Sequence, residues 1–135
     1  MGSDEDYLTA EFELIARQEK VGEIIAEMQE LLQDFNHQIP DLEFRLEVVA
    51  RELMANAIKD GCQQKNDVVE IKLKGRPQKL TLTVKDPGEG FNCEITPLAD
   101  IPTYAENGRG LAMVHHTADE LNFNDRGNVI TCCFY

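Results

Sequence analysis

No apolar run in the 135 residues approaches membrane-spanning length, and the acidic start Met1-Gly2-Ser3-Asp4-Glu5-Asp6 is followed by no hydrophobic segment. A membrane anchor and a secretory signal are therefore not expected, and a cytoplasmic location is. Also missing are a C-x-x-C pair and a histidine at zinc-finger spacing. Of the four cysteines, Cys62, Cys93, Cys132 and Cys133, the last two are neighbours and so point to opposite faces of a strand. They read as small core residues in a reducing compartment, not as a disulfide framework or a metal site. Positive charge is scarce: 13 Lys and Arg stand against 25 Asp and Glu, a formal net charge of -12. Such a surface repels a phosphate backbone, so direct nucleic-acid binding is not expected and a basic protein partner is. Internal repeats and low-complexity linkers are absent too, which leaves one domain over residues 1–135.

What is present is periodicity. Residues 7–15 alternate partially and read as an edge strand. From Arg17 to about Phe35 the spacing turns helical, with Val21, Ile24, Ile25, Met28, Leu31, Leu32 and Phe35 on one face. That face, Met28 and Leu32 included, reads as core. Asn36 to Pro40 breaks the helix, Pro40-Asp41 opens a second one, and Gly61 stops it. Val68 to Lys74 and Lys79 to Lys85 alternate as a hairpin joined by Gly75-Arg76-Pro77-Gln78. A long irregular stretch, Pro87 to Gly108, follows, and loops of that length are usually functional or mobile. Gly110 to Leu121 returns to helical spacing, and Glu120 to Asn124 and Asn128 to Tyr135 read as closing strands. The expected class is α+β: a two-layer sandwich with a mostly antiparallel sheet and helices on one face.

Three pieces carry chemistry. On the second helix, Leu42, Leu46, Val49, Leu53 and Ala57 form an apolar stripe, and Glu52 and Asn56 sit one turn apart on its border. Taken alone, that pair is an ordinary polar helix boundary; beside a phosphate site it offers a proton acceptor next to a hard-cation ligand. Asp86, in Asp86-Pro87-Gly88-Glu89-Gly90, continues the buried side of Leu80, Leu82 and Val84, and a carboxylate there needs a hydrogen-bonding reason. It can accept from an exocyclic amine, which suits adenine. Gly108-Arg109-Gly110-Leu111 opens a helix, where bare backbone amides and the helix dipole favour a phosphate. A nucleotide bound against the global field of this chain needs such a local pocket, together with a metal.

In this order the three pieces resemble the N, G1 and G2 boxes of the GHKL ATPase superfamily. The short forms Asp86-Pro87-Gly88-Glu89-Gly90-Phe91 and Glu106-Asn107-Gly108-Arg109-Gly110-Leu111 resemble the bacterial anti-sigma-factor serine kinases of the RsbW type. The resemblance implies the Bergerat, histidine-kinase-like ATPase fold, with ATP and Mg²⁺ as cofactors. It implies Asn56 as the Mg²⁺ ligand, Glu52 as general base on the attacking hydroxyl and Asp86 as acceptor of the adenine amino group. Gly88 and Gly90 would give the backbone room beside the nucleotide. Residues 91–107, within a loop of about 87–109, would be the ATP lid, and Gly108, Arg109, Gly110 and Leu111 would face the phosphates.

Two positions depart from the family pattern: Asp60 stands where a histidine is frequent, and Asn128 where a threonine follows the glycine of the last hairpin. Thr131 is the substitute expected for the water-bridging role. His115 falls on the apolar side of the last helix and His116 off it, both read as structural or solvated, and His37 reads as a loop residue without an evident partner. The acidic clusters at Asp4-Glu5-Asp6 and Glu27 to Glu30 read as solvated surface that could also meet a basic partner. The leading functional expectation is a serine/threonine kinase that phosphorylates a STAS-domain anti-sigma-factor antagonist and binds a sigma factor alternatively; a homodimer is also expected from the resemblance. The alternative is a nucleotide-binding module that sequesters its partner without phosphate transfer. A sensor histidine kinase fits less well, because no dimerisation hairpin precedes residue 7.

Overall fold

The alternating run VVEIKLKGR becomes a central strand because one of its faces, Val69, Ile71 and Leu73, is fully buried while Glu70, Lys72 and Lys74 stay exposed. A computed structural model of the chain describes residues 7–64, 66–88 and 108–135, with the backbone alone for 108–112. Eight elements follow in order: β1 (Leu8–Ile15), α1 (Val21–Gln33), α2 (Leu42–Asn56), β2 (Val68–Arg76), β3 (Lys79–Lys85), α3 (Gly108–Thr117), β4 (Glu120–Phe123) and β5 (Val129–Phe134). The strands form one five-stranded antiparallel sheet in the order β1-β2-β3-β5-β4.

Register makes the core continuous across the sheet. Leu82 lies between Leu73 and Cys132, and Val84 between Ile71 and Ile130. Against this floor pack Ile25, Met28 and Leu32 from α1 and Leu42, Leu46, Val49 and Leu53 from α2, each no more than 2% exposed. Each of these large side chains contributes roughly 1.5–3 kcal/mol of transfer free energy. The sheet with its helices is the expected α+β architecture.

Several boundaries differ from the sequence expectation, for local reasons. The first helix begins as a 3-10 turn, Gln18–Lys20, before α1 proper. Phe35, beyond the end of α1, stays buried because it packs over Gly75, where an added Cβ would lie 2.7 Å from Phe35 Cζ. Gly75 pairs with both Leu8 and Leu80, so β2 runs through it and the expected four-residue connection shrinks to Pro77-Gln78. His37 does have partners: its ring stacks on Phe35 at 5.3 Å, and Nδ1 accepts from the Ile39 amide at 3.1 Å. Asp41 opens α2 in the left-handed region, φ 52°, with no side-chain cap; its carbonyl accepts from the Arg45 amide at 2.9 Å. At the other end α2 stops at Asn56, and the chain continues to Gly61 as a π-helical turn. The last helix ends at Thr117, not Leu121, which pairs with Cys132 from β4.

Candidate functional site

The π turn sets the geometry. A helix that swaps i→i−4 for i→i−5 hydrogen bonding widens and re-aims its last residues, and such turns recur at functional sites. Here it carries the chain from Asn56 to Gly61 over roughly 6–8 Å and sets Gly61 directly on the Asp86 carboxylate, where an added Cβ would lie 2.6 Å from Asp86 Oδ2. The polar end of α2 and the end of β3 therefore meet at one point.

On α2, Asn56 Nδ2 donates to Glu52 Oε1 at 3.3 Å. Asn56 is 5% exposed and Glu52 half-buried. The i,i+4 spacing stacks the two side chains, and this contact orients the carboxamide so that its oxygen is the atom left to accept a ligand. Among the described residues no three His, Cys, Asp or Glu side chains gather into a metal cluster. A cation at Asn56 would take its other ligands from phosphate and water, which matches the coordination habit of Mg²⁺.

Asp86 lies one residue beyond β3 and is half-buried. Its Oδ1 accepts from the Gly88 amide at 2.8 Å, closing an Asx turn, while Oδ2 faces Gly61. Burial pushes the Asp86 pKa upward, and the Gly88 amide offsets part of that rise. An added Cβ at Gly88 would lie 2.8 Å from the Gly61 carbonyl oxygen. The two glycines thus bring bare backbone together around one carboxylate, a cradle that any side chain would fill.

The backbone of Asp86 is clasped from the neighbouring strand. Its amide donates to the Asn128 carbonyl at 3.0 Å, and Asn128 Nδ2 donates to the Asp86 carbonyl at 3.2 Å. Asn124 holds Asn128 in turn: Asn124 Nδ2 donates to Asn128 Oδ1 at 2.8 Å, and Asn124 Oδ1 accepts from the Val129 amide at 3.0 Å. Asn128 is 6% exposed and fully engaged. Gly127, φ 77°, supplies the left-handed turn that delivers it. Sequence reading gives Gly61 only as a helix stop, Asn124 only as the end of a strand and Asn128 only as a departure from the family pattern. The signal was there: Asn128 has the same strand parity as Ile130 and Cys132, hence the same face as Val84 and Asp86.

That parity also corrects the expectation for Thr131. Thr131 pairs with Thr83 and Asn122 on the opposite face of the sheet from Asp86, so it does not join the cluster. The polar group beside Asp86 is Asn128. Gly108, Arg109, Gly110 and Leu111 form the first turn of α3, while Gly90 and the expected lid, 91–107, lie outside the described residues. Asp60 is exposed on the π turn. His115, expected on the apolar side of α3, is exposed like His116; the buried stripe is Val114 and Ala118. Cys62, next to the cradle, has its thiol pushed up to about 11 by burial and then by Asp67 and Asp86, which favours the protonated form at neutral pH.

The model of a family described as "Histidine kinase-like ATPase domain" matches residues 14–134, nearly the whole chain. No curated protein matches the chain. The matched span contains both halves of the cradle, and no helix of the described residues is long and apolar enough to cross a membrane.

Proposed function

The chain belongs to the histidine kinase-like ATPase domain family, and on that premise we propose that it binds ATP with Mg²⁺ and passes the terminal phosphoryl group to a serine or threonine of a partner protein. The observation that carries this reading is the meeting of Asp86, Gly61 and Gly88 at the end of the helix bearing Glu52 and Asn56. Asp86 Oδ2 accepts from the adenine amino group, and the missing side chains of Gly61 and Gly88 let the backbone close on the carboxylate and hold it in place. Asn56, its amide nitrogen held by Glu52, offers its oxygen to Mg²⁺. When bound, the cation neutralises charge developing on the phosphates. Glu52 uses one carboxylate oxygen on Asn56 and keeps the other for the proton of the attacking hydroxyl. The chain's task is mostly positioning, which is what phosphoryl transfer requires.

α3 completes the pocket. Its C-terminal end is pinned to the first half of α2, where Arg45 Nε donates to the Thr117 carbonyl at 3.1 Å. Ten residues of helix span about 15 Å, close to the length of α2 from Arg45 to Asn56, so the glycine-flanked start of α3 is long enough to reach the phosphate end. The motif Glu106 to Leu111 and the acidic surface support an anti-sigma regulatory kinase acting on a STAS-domain antagonist, with a sigma factor as alternative partner. The second reading, sequestration without transfer, is favoured by Asp60, an acid on the turn between Asn56 and Gly61, where it would oppose phosphate.

Incubation with terminally labelled ATP and a STAS-domain partner separates the two. We expect label on a partner serine or threonine, loss of transfer of 100-fold or more in Glu52→Gln, and nucleotide affinity in that variant within about threefold of the parent. A stable complex without label would establish sequestration in place of catalysis. Transfer at the parental rate in Glu52→Gln would remove Glu52 as the base.

A further inference from the structure

Phe44, in the first turn of α2, is 70% exposed, more than any other large apolar side chain among the described residues. An isolated exposed phenylalanine needs no explanation, but this one heads a line. Residues four apart on an α-helix lie one above another, and such a line inclines around the axis. From Phe44 it runs through Val48 and Glu52 to Asn56. Exposure falls along it: Phe44 is open, Val48 and Glu52 are half-buried, and Asn56 is 5% exposed. The inclination therefore carries an apolar track from solvent to the carboxylate that holds the Asn56 amide at 3.3 Å.

Charges beside the track are already committed. Glu47 Oε1 accepts from Gln29 Nε2 at 2.8 Å and Oε2 from Arg51 Nε at 2.9 Å, while Arg45 donates to the Thr117 carbonyl and to Asp119. What Phe44 and Val48 offer an occupant is thus apolar area. The spacing selects the occupant's conformation. From Phe44 to Val48 and from Val48 to Glu52 the helix rises about 6 Å each time, and in an extended chain alternate residues share a face and recur every ~6.6 Å. Three alternate side chains of one extended segment therefore match three successive positions of the track.

We propose that this track docks the phosphoacceptor segment of the partner protein: an extended stretch whose serine or threonine faces Glu52 while apolar side chains two and four positions away cover Val48 and Phe44. The inference rests on the phosphotransfer reading above and names the substrate class of that site. All three side chains lie on one face of the segment, so the acceptor hydroxyl and its apolar anchors meet α2 together. A second copy of this chain is the poorer occupant. A two-fold contact uses the same line on both chains, so it would cover Glu52 in each and close the base to any hydroxyl.

The probes are eight-residue peptides with leucine, valine and serine at alternate positions and glycine or asparagine between them, made in both chain directions. Fluorescence anisotropy on the full chain with Mg²⁺ and a non-hydrolysable ATP analogue reads binding; terminally labelled ATP reads transfer. Expected is binding in one of the two directions, weakened about 10- to 100-fold in Phe44→Glu and little changed in Phe44→Leu. A peptide with leucine and valine on opposite faces should bind as poorly as the parent peptide binds Phe44→Glu. In transfer, the KM for the peptide should rise by the same factor in Phe44→Glu while the KM for ATP stays put. Phe44 is exposed, and an unchanged circular dichroism spectrum verifies the fold. Binding that depends on Phe44 without any label would support the track as a docking surface and count against phosphotransfer. Label with an equal peptide KM in parent and Phe44→Glu would keep phosphotransfer and overturn the track. No binding in either direction, or equal binding of the opposite-face peptide, would also overturn it, as would sedimentation showing that the chain alone pairs through Phe44.

Discussion

Asp86 concentrates the tension between stability and binding in one carboxylate. Its pKa is raised because burial disfavours the ionised form, so ionisation costs the folded chain more than the unfolded one. The sign follows: the cost is absent below the unfolded carboxylate value of about 4 and appears as pH rises through it towards the higher folded value. Asp86→Asn keeps an oxygen for the Gly88 amide and removes the charge. We therefore expect this variant to melt at a higher temperature than the parent at pH 7.5, with the gap closing towards pH 4. Its affinity for ATP should fall about 10- to 100-fold, the loss of a charge-assisted hydrogen bond. Thermal melts across that pH range and calorimetric titration with ATP check the two halves. A variant that melts below the parent at pH 7.5, with the deficit closing on acidification, would mean the carboxylate is stabilised by partners, not desolvated.

Elements show what was legible and what was not. The amphipathic stripe of α1 and the alternation of β2 and β3 are written in the sequence because burial there depends on periodicity alone. Asp86's place on the buried face followed from the same count. The π turn could not be read, since Ala57-Ile58-Lys59-Asp60-Gly61 is a plausible continuation of an α-helix and only its fit against Asp86 selects the wider turn. Gly61→Ala tests that fit. It should cost roughly 1–3 kcal/mol by urea denaturation, as overpacking does, although alanine is the better helix former. Combining it with Asp86→Ala should recover part of the loss, a coupling that a double-mutant cycle measures. The fixing of α3 was equally invisible, because it relies on contacts distant in sequence. Arg45 reaches the Thr117 carbonyl, the Pro40 carbonyl at 3.0 Å and Asp119 at 2.6 Å, and lies over the Phe134 ring. Asp119, itself pushed up by partial burial, is held below the usual carboxylate range by the Tyr135 amide and Arg45. Arg45→Ala should destabilise the fold by roughly 2–3 kcal/mol and speed amide exchange first around residues 114–118. Uniform exchange across all three helices would place the loss in the global fold instead.

The whole molecule sets the sign of one more effect. A formal charge of -12 on a chain of 135 residues opposes its own compact state and any anion approaching it. Most proteins that bind a polyanion do so with a basic surface, and their affinity falls as salt screens the attraction. On the proposed reading attraction is confined to the cradle, a cation held at Asn56 and the start of α3, while the long-range field repels. The two act over different distances. Raising ionic strength from about 0.01 M to 0.15 M shortens the screening length from about 30 Å to about 8 Å, which removes the repulsion of distant carboxylates and leaves contacts inside the pocket largely untouched. ATP affinity at fixed Mg²⁺ should therefore rise or hold level over that interval, and the association rate constant should increase severalfold. The melting temperature of the free chain should climb with it. Stopped-flow binding of a fluorescent ATP analogue at the two salt concentrations reads the rate directly. A rate that falls with salt would mean the approach to the site is locally basic, with residues beyond Asn56 and Asp86 governing how the nucleotide arrives.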